Sequence, residues 1–155
     1  MAYQKLQVSK GIAVSPSDSV DVPNPEFILI TSTTTATTAD KLVDSGAAFS
    51  STVEVGNIII NTTDGTKTTI TAVDSDSTLS VADNIFTSGE GYTIYQYAET
   101  GGCILYIGGA GNVKLTTSSG SDLTFNSLNA GTFVPVQTIR VWSTGTTATN
   151  IIALW

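Results

Sequence analysis

Apolar and polar residues alternate along much of the chain with a period of two, which is typical of β-strands. The pattern is clearest in the last third, residues 101–155. Cys103, Leu105 and Ile107 share one face of a strand, and the two residues between them, an isoleucine and a tyrosine, share the other. Because both faces are apolar, both are expected to be covered. The pattern therefore predicts a central strand over 103–107.

A β-hairpin is predicted directly after this strand. Residues 112–117 alternate cleanly between apolar and polar positions, and the sequence Ser-Ser-Gly-Ser at 118–121 is a turn that contains glycine. Leu123 and Phe125 then alternate with polar residues on the returning strand. Two alternating runs that flank a short turn are the usual sign of a hairpin.

Residues 132–142 predict a further long strand. Pro135 cannot donate a ladder hydrogen bond, so the strand is expected to begin at a sheet edge or with a bulge. Simple alternation places these residues on one face: Val134, Val136, Thr138, Arg140 and Trp142. The apolar terminus from Ile151 to Trp155 predicts that the chain ends inside the fold.

The middle of the chain predicts a small β-module of its own. Its most apolar point is 58–60, and Asp64-Gly65 is a strong hairpin signal between that run and the next strand. The threonine-rich tract 31–39 predicts an exposed edge or loop. Roughly five short strands at close spacing suggest a small barrel or sandwich.

The predicted fold class is thus all-β. A sandwich- or barrel-like host domain is formed by residues 1–30 and 99–155, and a small β-barrel or sandwich module of residues 31–98 is inserted in it. Residues 2–14 are expected to form a strand or an arm that pairs with a neighbour, and 82–86 at most one helical turn.

Composition narrows the possible functions. Charged residues make up 12% of the chain, about half the usual share, and serine, threonine, asparagine and glycine replace them. Such a neutral, hydrogen-bonding surface suits a protein that lies against copies of itself. The net charge of -7 argues against binding to nucleic acid or to an anionic membrane surface. The N-terminus lacks the apolar core of a secretion signal, so folding in a reducing cytoplasm is expected.

Few residues are suited to catalysis or to metal binding. The chain has no histidine and one cysteine, and Cys103 is interpreted as a small core residue rather than a nucleophile. The carboxylates available for acid-base chemistry are Asp74, Asp76, Asp83 and Glu90. The candidate calcium ligands are Asp74, Ser75, Asp76, Ser77 and Asp83. All lie in turn-like contexts where a carboxylate bonds its own backbone. No cofactor and no catalytic residue is therefore predicted.

Three further patterns are also better explained by structure than by a binding site. Asn61-Thr62-Thr63 matches the glycan-acceptor pattern, which matters only in a secreted protein. Gly108, Gly109 and Gly111 resemble a phosphate cradle, but no helix is expected to follow them. The two tryptophans are suited to stacking on a sugar ring, although core packing or subunit contact is the more common role at a strand end.

The C-terminal strings GGCILYIGGAGNVKLTT and TFVPVQTIRVWSTGTTATNIIALW resemble the head spike base family of tailed phages and gene transfer agents. The approach SPSDSVDVPNP belongs to the same pattern, which in that family runs almost directly into the GGCILYIGG strand. In this chain an extra segment, from Glu26 to roughly Thr100, separates the two. That segment is similar to a module found in many phage virion proteins.

The resemblance implies a structural protein, and not an enzyme, on the capsid exterior, made in the host cytoplasm. It would act as the base of a head spike or as a decoration protein, and assemble as a closed cyclic homo-oligomer, a trimer or a pentamer. Its expected partners are the major capsid protein and a spike or fibre protein. The interface candidates are Phe133, Val134, Trp142 and Trp155. The alternatives are a carbohydrate-binding module of a tail fibre or adhesin, and a small hydrolase with two facing carboxylates.

Overall fold

A computed structural model describes residues 8–97 and 102–155 of the chain. Within these residues twelve strands and one four-residue helix are present, which confirms the all-β class. The chain folds as two compact units. The host unit comprises Met1–Pro25 and Thr100–Trp155, and the inserted unit comprises Glu26–Glu99.

The strands are numbered in chain order. They are β1 (Gly11–Ala13), β2 (Ile28–Thr33), β3 (Lys41–Val43), β4 (Ile58–Asn61), β5 (Lys67–Ser75), β6 (Thr78–Val81), β7 (Gly91–Tyr95), β8 (Cys103–Gly109), β9 (Gly111–Thr117), β10 (Asp122–Leu128), β11 (Thr132–Val141) and β12 (Thr149–Leu154). The helix α1 (Phe49–Thr52) lies between β3 and β4.

The host unit is built on one antiparallel sheet of six strands, in the order β1-β12-β8-β11-β9-β10. β8 has a strand neighbour on each side, so it is central, as predicted. Its outer face is only partly covered, however, since Tyr106 is partly buried. Cys103, Leu105 and Ile107 are at most 1% exposed and face the core. The rest of this core comes from the neighbouring strands and includes Val113, Leu115, Val134, Val141, Ile151 and Ala153.

β9 and β10 form the predicted hairpin. Leu123 lies opposite Leu115, and Phe125 lies opposite Val113. Directly opposed residues point to the same side of a sheet, so Leu123 and Phe125 face the core side. The pairing register shifts between Phe125 and Leu128, which is a bulge near the end of the hairpin.

β11 is an interior strand with two irregularities rather than an edge strand. Its first half pairs with β8 and its second half with β9, and the register shifts between Val134 and Thr138, around Pro135. A second shift lies between Thr138 and Arg140. The single face that simple alternation predicts is therefore wrong, because Val134 and Val141 both lie in the core.

The segment that joins β1 to the inserted unit is attached to the host sheet by backbone hydrogen bonds. The N–H of Val14 donates to the carbonyl of Ile151, and that of Val22 donates to the carbonyl of Ile139. Val22 itself is 4% exposed and belongs to the host core. This proline-containing connector is thus packed along the sheet.

The inserted unit is a single curled sheet in the order β2-β7-β4-β5-β6-β3. An isolated bridge between Ala36 and Val43 brings the two edges of the sheet together at one end, so the sheet forms a half-barrel. Its core is centred on these side chains: Leu42, Phe49, Ile59, Ile70, Leu79, Tyr92 and Ile94.

Two predictions need correction, and a third falls partly outside the described residues. β2 pairs with β7, so residues 26–30 belong to the inserted unit and not to the host domain. Residues 82–86 form no helix, and the helix lies at Phe49–Thr52 instead, with Phe49 completely buried. The predicted N-terminal strand or arm includes residues 2–7, which lie outside the described part.

Candidate interaction surface

An apolar row crosses three neighbouring strands of the host sheet, on the face opposite to the core. Tyr106 on β8 pairs directly with Phe133 on β11 and with Ile152 on β12. Phe133 is 54% exposed and Ile152 is 37% exposed. The rings of Tyr106 and Phe133 lie 5.2 Å apart between centroids at 59°. These three side chains, here named the apolar row, form a continuous exposed apolar strip.

The four predicted interface residues fall in different environments. Phe133 lies in the apolar row, whereas Val134 is 2% exposed and packs in the host core. Successive residues of a strand point to opposite faces, so the two cannot share a surface. Val134 is therefore removed from the interface candidates. Tyr106 and Ile152 were not among the predicted residues, although both alternate with apolar neighbours in the sequence of β8 and β12.

Trp142 is held by contacts within the host unit. Its indole Nε1 donates to Thr116 Oγ1 over 2.8 Å. The Lys114 Nζ atom lies 4.0 Å from the ring centroid, and the Arg140 guanidinium carbon lies 5.7 Å from it. Both arrangements are cation-π contacts. The indole is thus occupied by its own chain and leaves little flat surface for a sugar ring.

Trp155 is partly buried and packs against the host core. Its backbone N–H donates to the carbonyl of Lys10, and its carbonyl accepts from the N–H of Ser9. Within the described residues its buried Nε1 has no hydrogen-bond partner. These contacts give Trp155 a place at the edge of the core, next to β1.

A polar network fixes the connector to the end of β11. Arg140 Nε donates to Asp21 Oδ1 over 2.7 Å. The Asp18 carboxylate accepts from the Thr144 hydroxyl over 2.6 Å and from the Thr144 N–H over 2.8 Å. These two hydrogen bonds lower the pKa of Asp18 to about 2. The network ties sequence-distant segments together and needs no bound ligand.

Two of the candidate catalytic or calcium-binding carboxylates are engaged in structural contacts. Asp74 Oδ2 accepts from Lys41 Nζ over 2.8 Å and from Ser80 Oγ over 2.9 Å. Asp83 accepts from the Thr68 hydroxyl over 3.0 Å. The Lys41 ammonium and the Ser80 hydroxyl lower the pKa of Asp74. Both carboxylates therefore stabilise the barrel wall.

Of the other two candidates, Glu90 makes structural contacts through its side chain and Asp76 makes one through its backbone. Glu90 Oε2 accepts from the Asn61 side-chain amide over 3.0 Å and from the Thr87 N–H over 2.6 Å. Asp76 accepts the N–H of Phe49 through its backbone carbonyl. Across residues 8–97 and 102–155, no group of three His, Cys, Asp or Glu residues is placed to hold a metal ion. Asn61 is completely buried, so the glycan-acceptor motif is inaccessible in the folded unit.

Asp44 is a buried carboxylate that the sequence did not single out. Its Oδ2 accepts from the Ser32 hydroxyl and from the Tyr92 hydroxyl, each over 2.7 Å, and its Oδ1 accepts from the Gly46 N–H over 2.9 Å. Burial alone would raise the pKa of Asp44, but the three donors outweigh it and the pKa is lowered. Burial and the nearby carboxylate raise the pKa of Tyr92. Neighbouring residues gave no signal for this cluster, because two of its three partners, Ser32 and Tyr92, are distant in sequence.

The glycine cluster allows close strand packing and is not a phosphate cradle. A Cβ atom on Gly108 would lie 2.6 Å from the Asn150 carbonyl oxygen, and one on Gly109 would overlap the Thr149 hydroxyl. β12 therefore occupies the space that these glycines leave. Cys103 is 1% exposed, and its thiol lies 3.2 Å from the Thr138 carbonyl oxygen, as a core residue would.

Formal charge is divided very unevenly between the two units. The inserted unit, Glu26–Glu99, contains ten acidic and two basic residues, for a net charge of -8. The host unit contains three acidic and four basic residues, for a net charge of +1. The acidity of the chain is thus confined to the inserted unit, and the apolar row lies on a nearly neutral body.

No family model, curated protein or solved structure matches this chain. In the part of the chain that the structure describes, no helix has the length and apolar content needed to cross a bilayer.

Proposed function

We propose that this protein is a structural component of a phage-type particle, which docks on the capsid exterior through its host unit and associates with copies of itself. The observation that carries the proposal is the apolar row on a nearly neutral sheet face. The resemblance of the C-terminal strings to the head spike base family supports the same role. In this role the protein binds other proteins and catalyses no reaction.

The apolar row has the properties of a protein-binding site. Full burial of a large apolar side chain stabilises an interface by about 1.5–3 kcal/mol. Phe133, Tyr106 and Ile152 are adjacent on three hydrogen-bonded strands, so they are held rigidly and lose little conformational freedom on binding. The near-neutral host unit adds no strong repulsion towards a capsid surface.

A carbohydrate-binding role is less well supported by the same residues. Aromatic rings that bind a sugar are expected to be exposed and coplanar. Tyr106 and Phe133 are tilted by 59° to one another, and the ring of Trp142 is covered by Lys114. A glycan array measures this alternative directly, and specific retention of one glycan would favour it over the structural role.

Co-purification with particles tests the proposed function. Particles from the source strain are expected to retain the protein in a fixed ratio to the major capsid protein after density-gradient purification. Phe133→Asp should reduce retention by at least about tenfold, since it places a charge in the contact. Val55→Asp is the matched control, because Val55 is 63% exposed on the inserted unit. Absence of the wild-type protein from particles, or equal retention of both variants, would contradict the proposal.

A further inference from the structure

The host sheet ends in a strand, β10, that has one strand neighbour. Among the described residues β10 pairs with β9 alone, and most of its residues are exposed. Alternate N–H and C=O groups of an edge strand point away from the sheet and can accept another strand. The bulge beyond Phe125 leaves 122–125 as the regular part of this edge.

Two apolar side chains of β10 extend the host core to this edge of the sheet. Leu123 and Phe125 lie on the core side of the sheet, beside the buried Leu115 and Val113. Leu123 is nevertheless 41% exposed. An added strand with apolar residues on the same side would extend the core and cover Leu123.

The opposite edge of the same sheet supplies such a strand. β1 is the other end of the strand order, and its neighbouring side chains Ile12 and Val14 pack against the same host core. All neighbouring pairs in the six-stranded sheet are antiparallel, so β1 and β10 run in opposite directions. A copy rotated about an axis parallel to the strands would therefore place its β1 antiparallel to β10.

The charge distribution identifies the host unit as the place where copies can meet. Two inserted units, each with a net charge of -8, repel one another, whereas two host units with +1 each do not repel strongly. Charge therefore opposes contact between inserted units and does not oppose contact between host sheet edges. Salt screens the repulsion between the inserted units and should strengthen the association.

We infer that a second copy of this chain occupies the β10 edge and adds its β1 to the host sheet in a head-to-tail arrangement. Ile12 of the second copy lies opposite Phe125, and its Val14 lies opposite Leu123. Ala13 then lies opposite Thr124 on the outer face. This inference rests on the proposed structural role and names the surface through which the copies associate.

Disulfide trapping tests this register in the full-length protein. Directly opposed residues of antiparallel strands have Cα atoms about 4.5–5.5 Å apart, which a disulfide can span. The double variant Ala13→Cys/Thr124→Cys should give a ladder or ring of covalently linked copies under mild oxidation, and higher salt should increase its yield. Each single variant is a matched control, and the native Cys103 is buried and should not react.

A second variant separates loss of association from loss of folding. Leu123→Lys should lower the assembled fraction at least about tenfold by sedimentation, while circular dichroism and the unfolding midpoint stay close to wild type. Linkage in the Thr124→Cys single variant would show a twofold β10 pair and overturn the head-to-tail inference, as would absence of linkage in the double variant. If the protein is retained on particles but the double variant gives no linkage, the inference is overturned and the proposed function stands. If the double variant is linked but the protein is not retained on particles, the proposed function is overturned and the inference stands.

Discussion

At the residue scale, the inserted unit depends on a buried carboxylate that three donors satisfy. Asp44 is 3% exposed and accepts from Ser32, Tyr92 and Gly46. Ser32 and Tyr92 are 12 and 48 positions away in the chain, so local sequence cannot reveal the cluster. The sequence around Asp44 resembles any polar turn, and only the paired strands bring the donors together.

Replacement of this carboxylate should destabilise the inserted unit. Asp44→Asn substitutes a donor for one acceptor, which leaves a buried hydroxyl unpaired, and a loss of about 1–3 kcal/mol in the free energy of unfolding is expected. Chemical denaturation measures the loss. Asp74→Asn is the control, because the exposed Lys41–Asp74 pair contributes about 1 kcal/mol or less. Equal losses in both variants would contradict this account of Asp44.

Asp18 predicts an acid-dependent change in the host unit. Its pKa falls from 3.8 in the unfolded chain to about 2 in the folded protein. A lowered folded-state pKa contributes stability above the unfolded value, and that contribution is lost as the pH falls from about 4 to about 2. The difference in unfolding midpoint between wild type and Asp18→Asn should therefore shrink over this range. If the difference in unfolding midpoint stays constant over this pH range, the hydrogen bonds from Thr144 are not the cause of the stabilisation by Asp18.

At the element scale, local sequence signals predicted the hairpins, whereas the register of β11 depends on long-range contacts. Asp64-Gly65 and the turn at 118–121 each join strands that pair as expected. The two register shifts in β11 depend on its pairing with β8 and β9 together, which no short window of sequence contains. Pro135 indicated a bulge, but the second shift had no local sign.

The threonine-rich tract illustrates the same limit. The prediction of an exposed strand edge or loop holds for most of the tract, but Thr34 is 2% exposed. Its hydroxyl accepts from the Glu90 N–H over 3.0 Å and contacts the carbonyls of Thr87 and Glu90. Thr34 thus fixes the end of β2 to the loop before β7.

Thr34→Val should weaken this attachment. Valine keeps the shape but leaves the Glu90 N–H without its partner, so a loss of about 1–3 kcal/mol is expected in the free energy of unfolding. Thr38→Val is the matched control on the same tract, where the side chain is exposed and a change within about 0.5 kcal/mol is expected. Urea denaturation of the two variants checks the difference.

At the scale of the whole molecule, the chain is a nearly neutral host unit interrupted by an acidic insertion. The all-β class and the presence of two units followed from strand spacing and turn signals. The boundary at Pro25 could not be predicted, because the apolar run of β2 could pair in either unit. The pairing of β2 with β7 places it in the inserted unit. Of the apolar row, Phe133 was among the predicted interface residues, whereas its neighbours across the strands were not.

The inserted unit should fold without the host. Its two ends are adjacent, since the Gln96 N–H donates to the Phe27 carbonyl over 2.8 Å, and it has its own core. The isolated segment Glu26–Glu99 is expected to show a β-type circular dichroism spectrum and one cooperative unfolding transition. A spectrum typical of an unfolded chain would show that its stability depends on the host unit.

We propose that the protein is a particle component that binds through its host unit. Cryo-microscopy of purified particles from the source strain tests this most directly. We expect density for this fold on the capsid exterior, with Tyr106, Phe133 and Ile152 buried against the shell. Particles that lack the protein, or density in which the apolar row faces solvent, would contradict it.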